Sequence, residues 1–320
     1  MSNKSMMILA LALAGAATAQ EADCRFSYFA NGRICVNTLS QIDGKDPILT
    51  PPVKGWEDFK PSWSKTGDML VFFRRVKDDP DVLNWKTVLC VAKADGSKLQ
   101  RLTNGTYTDF NPTWTRDGKN QPVWNRSHIK GRFIVMRTKV GNKPEQCETL
   151  TDKNYHNWLH SCLRDGRMLV ESDHPKKGYG YFLMTPAPGG KLTYQRIQDG
   201  GMLAKGLMAR ISISPDETKI CYEHMLGYEW AEPKHAIYIA DFDPTARTIT
   251  NHKAIANPNY GDGWYAYPRW SRDGQAVIYH ADTTGKGKLF LYTLKDGTTR
   301  QVSRNDAVDY RYPHAEDTPK

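Results

Sequence analysis

Along the chain, short apolar runs alternate with polar positions and are bounded by Asp-Gly, Asn-Gly or Pro. This is the pattern of half-buried β-strands joined by tight turns. One phrase recurs through it: Asp58-Phe59-Lys60-Pro61-Ser62-Trp63-Ser64-Lys65-Thr66-Gly67, then Asp109-Phe110-Asn111-Pro112-Thr113-Trp114-Thr115-Arg116-Asp117-Gly118, then Ala266-Tyr267-Pro268-Arg269-Trp270-Ser271-Arg272-Asp273-Gly274. Weaker copies occupy 155–166 and 209–217, and the turn positions Gly67, Gly118, Gly166, Glu217 and Gly274 fall 48 to 57 residues apart. A period of that size indicates a propeller or a solenoid.

Each unit reads as four strands. The Pro-x-Trp segment is the first, and the following Gly supplies positive φ in a hairpin turn. A second apolar strand follows (Met69–Phe73, Val123–Trp124, Met168–Val170, Lys219–Tyr222, Ala276–Tyr279). A third comes after a variable loop (Thr87–Ala92, Phe133–Arg137, Tyr181–Thr185, Ala236–Ala240, Lys288–Leu294), and an outer strand such as Leu99–Leu102 ends the unit. Four antiparallel strands per period make one propeller blade. Five units are complete. The segment Asp309-Tyr310-Arg311-Tyr312-Pro313-His314 repeats only the opening, and the hairpin Cys24–Leu39 supplies later strands without one. The expected fold is therefore an all-β propeller of about six four-stranded blades, closed by pairing the N- and C-terminal strands so that no sheet edge stays open.

These residues resemble the TolB-like propeller repeat, Pro-x-Trp-Ser-x-Asp-Gly followed by an apolar strand. Asp95-Gly96-Ser97-Lys98-Leu99-Gln100-Arg101-Leu102-Thr103 is similar to its closing part. The resemblance covers nearly the whole chain after its first twenty residues. It implies a propeller, and it implies one of several roles: exported scaffold, propeller attached to a peptidase, or oligogalacturonate lyase. The separate N-terminal α/β domain of the Tol-system protein itself is not expected here, nor is a peptidase domain.

Residues 1–19 read as a signal peptide: Lys4, an apolar run from Met6 to Ala17, and Ala17-Thr18-Ala19 ahead of Gln20. The run is too short for a permanent membrane anchor. Residues 20–320 form the single expected domain, periplasmic or extracellular. Six cysteines suit an oxidising compartment. A hairpin turning at Asn31-Gly32 predicts a Cys24–Cys35 disulfide, while Cys90, Cys147, Cys162 and Cys221 read either as disulfides or as buried thiols. The formal charge of +9 becomes +8 once Lys4 leaves. Outside the cytoplasm that points to an acidic glycan, anionic headgroups or an acidic protein, and away from nucleic acid. A monomer is expected.

The fold gathers polar side chains on one rim of the channel. The loops after the second strands bring Arg74, Arg75, Asn125, Arg126, His128, Asp173, His174, Glu223, His224, His280 and Asp282; the first strands bring Asp58, Asp109, Tyr155, His156, Arg210, Tyr265, Tyr267, Tyr310 and Arg311. Histidine is the usual base near neutral pH and the usual metal ligand, so His156, His174, His224 and His280 are candidate ligands for a divalent metal. Asp78-Asp79-Pro80-Asp81 is a candidate calcium loop or a capped turn, and the stretch from His224 to His235, with Tyr228, Glu229 and Trp230, a candidate sugar-stacking loop. No Gly-x-Ser-x-Gly, His-Glu-x-x-His, P-loop or dinucleotide fingerprint occurs. Two readings follow. One is an exported binding or scaffold propeller that holds a glycan or protein segment on its rim. The other is a metal-assisted polysaccharide lyase, with Arg75, Arg126 or Arg210 neutralising a uronate and His156, His174, His224 or Tyr265 as base.

Overall fold

The computed structural model describes residues 25–38, 47–77, 87–129, 132–186, 192–227 and 234–315, with backbone only at His128 and Ile129. The chain opens with a hairpin of β1 (Arg25–Ala30) and β2 (Arg33–Thr38). Blade 1 follows as β3 (Trp56–Trp63), β4 (Met69–Val76), β5 (Thr87–Lys93) and β6 (Gln100–Arg101). Blade 2 comprises β7 (Asp109–Trp114), β8 (Pro122–Ile129), β9 (Arg132–Arg137) and β10 (Glu148–Thr149). Blade 3 comprises β11 (Asn157–Cys162), β12 (Met168–His174), β13 (Gly178–Thr185) and β14 (Thr193–Arg196). Blade 4 comprises β15 (Leu207–Ile213), β16 (Lys219–Leu226), β17 (Lys234–Asp243) and β18 (Thr248–Ala256). Blade 5 comprises β19 (Trp264–Trp270), β20 (Ala276–Asp282), β21 (Lys288–Thr293) and β22 (Thr299–Gln301), and β23 (Tyr310–Ala315) ends the described chain.

Each of the five complete sheets is an antiparallel meander in chain order, with the recurring phrase on its first strand. Blade 6 is composite: β23 pairs with β1, and β1 with β2. Its fourth position is taken by residues 47–49, where Ile48 bridges Cys35 and Leu49 N–H donates to Ile34 O. Hydrogen bonds from the inner strands link neighbouring blades around the ring. Trp114 Nε1 donates to Ser62 O, Asn125 Nδ2 to Leu159 O, Ser161 Oγ to Ile211 O and Trp270 Nε1 to Ser212 O. Tyr312 N–H reaches His280 Nδ1, and His314 Nε2 meets Ser62 Oγ, which closes the circle from blade 6 to blade 1. The six-bladed closed ring expected from the repeat is the structure found.

The recurring residues act as read. Trp63, Trp114 and Trp270 are buried. Gly67, Gly118, Gly166 and Gly274 adopt φ of 69–87°, and Glu217 takes 64° at the same turn. The Ser of the phrase organises that turn: Ser271 Oγ donates to Asp273 Oδ1 and accepts Ala276 N–H, as Ser214 does with Asp216 and Lys219.

The cysteine reading changes. Cys24 lies outside the described residues. The hairpin register sets Cys35 opposite Tyr28 and Arg25 opposite Thr38. No disulfide occurs among the described residues. Cys90, Cys162 and Cys221 are buried thiols, each pushed up to about 12 by burial. No helix among the described residues is long and apolar enough to cross a membrane.

Candidate functional site

Every inner strand carries a β-bulge at the same place, between Phe59 and Ser62 in blade 1 and at the matching positions of the other five. At five of them the residue after the last regular pair has a left-handed backbone: Lys60 (φ 50°), Asn111 (50°), Arg210 (53°), Tyr267 (54°) and Tyr312 (53°). Four of the five stand directly before a proline. Such residues are non-glycine, and each costs about 1–3 kcal/mol of strain. In blade 3 the residue after the last regular pair is His160, without positive φ. The bulges turn these side chains inward. Lys60, Asn111, His160, Arg210, Tyr267 and Tyr312 line one narrow lumen.

The lumen is cationic and aromatic. Lys60 Nζ donates to Asn111 Oδ1 at 2.5 Å and stands 4.5 Å over the Tyr267 ring and 5.5 Å over Tyr312. Burial, with Arg210 nearby, holds its pKa below the ordinary lysine value. Arg210 Nη1 pairs with Glu223 Oε2 at 2.7 Å, and its guanidinium lies 4.5 Å from the centre of the Tyr267 ring. Glu223 is fully buried and is also bound by His235 Nδ1. Burial raises the Tyr267 phenol, but Arg210 and Lys60 outweigh it, and the net shift is downward. His280 stacks on Tyr267 (18° between planes), is wholly buried, and is held well below 6.5 by burial and by Arg311, Arg210 and Lys60. Its Nε2, with Arg210 Nε and His160 Nε2, has no protein hydrogen-bond partner. In blade 3, Glu171 sits 3.7 Å from His156 and 3.6 Å from His160 and also accepts from Tyr179. Burial opposes its ionisation, yet these neighbours hold its carboxyl down at about 2.

The rim residues expected from the sequence divide into two groups. Arg210 lines this lumen, and Glu223, His280 and His156 stand behind its wall, against Arg210, Tyr267 and Trp158 respectively. Arg311 bonds Asp282 and Asp309 at 2.8 Å and covers Trp264, and Arg75 faces Glu57 at 3.6 Å and covers Phe59, so both present cations over aromatic faces. Asp173 accepts the His156 N–H. The second group lies elsewhere. Arg126 is engaged in a two-pronged pair with buried Asp109, the same pair that Arg74 makes with Asp58, so it braces the blade. His174 packs among Tyr155, Phe182 and Tyr194 of blade 3. His224 bonds Tyr260 and Met202 O in a separate cavity beside Tyr238 and His252. Tyr265 packs with the buried residues between blades 4 and 5. The His128 side chain, the Asp78–Asp81 loop and Tyr228, Glu229 and Trp230 lie outside the described residues. Among the described residues, no three His, Cys, Asp or Glu side chains form a group able to hold a metal ion. Tyr267 was read as a first-strand residue of the rim; the residues that the sequence reading missed are Lys60, Asn111 and Tyr312, which stand, like Tyr267, directly before the proline of the recurring phrase.

No protein-family profile matches this chain, and no curated protein matches it significantly. Solved structures do. TolB from Acinetobacter baumannii aligns with TM-score 0.65 at 13% identity, over 93% of this chain and 68% of that one. Hydrazine synthase of Kuenenia stuttgartiensis aligns with TM-score 0.68 at 13% identity over 93% of this chain, which spans only 48% of the synthase chain. An oligogalacturonate lyase in complex with manganese aligns with TM-score 0.53 at 10% identity, over 85% of this chain and 74% of that one. Identities this low establish the fold alone, and that fold is the TolB-like six-bladed propeller.

Proposed function

We propose that this chain is an exported, monomeric propeller that binds an acidic ligand, a glycan or a protein segment, at the mouth and in the lumen of its channel. One observation carries the reading: five blades each hold a non-glycine residue on strained backbone, and all five side chains meet in one lumen. Strain repeated at one level of the fold is the mark of a preorganised site. The cations there, with Arg75 and Arg311 over aromatic faces, select for negative charge. The test is calorimetric titration of the mature protein with trigalacturonate and with a glutamate-rich peptide. At least one is expected to bind, more weakly as salt rises, and Arg75→Gln with Arg311→Gln is expected to weaken it several-fold. Silence toward both ligands at low salt overturns the reading.

A second reading, a lyase that removes the α-proton of a uronate, draws on Tyr267. A phenol whose pKa is lowered between Lys60 and Arg210 is suited to accept a proton while the cations neutralise the neighbouring carboxylate. The donor set does not fit a bound manganese ion, because no three metal-ligating side chains converge among the described residues, and no step is assigned to a metal. This reading predicts a growing ultraviolet absorbance of unsaturated uronate on incubation with trigalacturonate, lost in Tyr267→Phe. A flat trace with wild-type protein excludes it.

A further inference from the structure

Away from the channel, a second concavity opens between blade 4 and the loops that enter and leave it. It encloses ≈ 520 Å³ and is lined by the rings of Tyr238, Tyr260, His224 and His252 with Met202 and Leu226. A volume of that order receives a small organic molecule. Both loops are braced. In residues 199–206, Asp199 Oδ2 accepts Leu203 N–H at 2.7 Å, and Met202 O accepts the N–H groups of Lys205 and Gly206. In residues 257–261, the Asn257 amide accepts Gly261 N–H and donates to Gly261 O and His235 O. Tyr260 there has a left-handed backbone (φ 51°), and its ring lies edge to face with His224 at 5.8 Å. The polar atoms of these rings are already engaged. His224 Nδ1 meets the Tyr260 hydroxyl at 2.5 Å and its Nε2 faces Met202 O at 3.5 Å. His252 Nδ1 meets the Tyr222 hydroxyl at 2.8 Å and its Nε2 faces Asp199 O at 3.1 Å. A carbonyl oxygen only accepts, so Nε2 carries the proton in both imidazoles and Nδ1 accepts from a phenol. Burial holds both pKa values below that of a free histidine. Neutral rings with engaged polar atoms offer a ligand their faces and edges. Tyr238 and His224 stand edge to face at 5.5 Å, an arrangement that a further aromatic ring extends. Lys205 is then the one charged side chain of the lining. It is exposed and makes no ion pair among the described residues. An unpaired ammonium beside an aromatic pocket is complementary to a flat ring that bears one negative charge. A carboxylate meets that count. A phosphate monoester brings nearly two charges and three strong acceptor oxygens to a site with a single cation.

We infer that this cavity on blade 4 binds an aromatic carboxylate, its ring held among Tyr238, Tyr260, His224 and His252 and its charge met by Lys205. The site is separate from the channel, and it stands independently of the acidic-ligand reading of the lumen.

Three probes separate ring from charge in calorimetry of the mature protein: indole-3-acetate, its neutral amide, and octanoate, an aliphatic acid of similar size. Indole-3-acetate is expected to bind about tenfold more tightly than either of the others, and more weakly as salt rises. Lys205 is exposed and unpaired, so its replacement leaves the fold intact. Lys205→Gln is expected to lose about tenfold in affinity for indole-3-acetate and nothing in affinity for the amide. Equal binding of the amide or of octanoate overturns the inference, as does wild-type affinity for indole-3-acetate in Lys205→Gln. Loss of that binding in Arg75→Gln with Arg311→Gln, and not in Lys205→Gln, would move the acid to the channel rim; it overturns this site and supports the reading of the lumen. Absence of indole-3-acetate binding overturns this site alone.

Discussion

His280 shows how a single residue ties the channel to pH. It is wholly buried against Tyr267, and burial with three nearby cations keeps its pKa well below that of a free imidazole. His314, at the opposite flank of the lumen, is pulled to about 3 by burial and by Arg269. In the unfolded chain both titrate near about 6.5, so on acidification the unfolded state binds protons that the native state refuses. Stability is complete above that value and falls as pH drops below it, by up to about 1.4 kcal/mol per pH unit for each group. Glu171, held at about 2, adds a second loss as pH falls from its unfolded range near about 4.3. Thermal melts across this range are expected to show a steady decline starting just below neutrality, and His280→Gln is expected to flatten its first part. The residue scale was only partly legible in advance. His280, Glu223 and Arg210 were identified because they occupy polar positions beside the apolar strands. Tyr267 was also placed on the rim, but Lys60, Asn111 and Tyr312 were not, because a residue before proline in a strand reads as extended. The left-handed turn each makes is imposed by the inner strand's bulge and by the neighbouring blades, which no local pattern reports. Tyr265, His174 and His224 lie away from this lumen, because polar or aromatic character says nothing about which side of a blade a strand presents.

Strands and turns followed the sequence closely, since Ser-x-Asp-Gly carries its own hydrogen bonds and its own backbone demand. The turn between β5 and β6 adds a constraint of another kind. Gly96 adopts φ 81°, and a Cβ there would lie 2.3 Å from the Leu49 carbonyl oxygen of the segment that edges blade 6. Gly274 has a similar φ of 71° but only Pro215 Cδ at 3.5 Å. Gly274→Ala is expected to cost about 1 kcal/mol, the strain of the left-handed backbone alone. Gly96→Ala is expected to cost about 2–4 kcal/mol, because the clash is with main chain that cannot rotate away. Urea unfolding of the two variants side by side separates the terms; equal losses would mean that the Leu49 contact is unimportant. Asp-Gly in Asp95-Gly96 was readable as a turn, but its role as a fitted contact between blades 6 and 1 was not, since Leu49 is remote in sequence.

For the whole molecule, closure through β1 and β23 is the decisive feature, and it was legible from a repeat whose opening appears six times and whose remainder appears five. A chain stopped before Asp309 loses the inner strand of blade 6, the Tyr312–Tyr267 contact and the His314–Ser62 bond. Such a chain is expected to unfold broadly and non-cooperatively by circular dichroism. A synthetic peptide of residues 309–316 is expected to restore a sharp transition by filling the vacant place. An unchanged sharp transition in the shortened chain would show that the ring holds without its last strand.

The Ser27–His314 contact joins residues 287 positions apart. At a translation rate of 5–20 residues per second, the first hairpin waits roughly 15–60 s for its partner. Throughout that interval the channel-side edge of β1, which β23 later covers, is open to mispairing with any other strand.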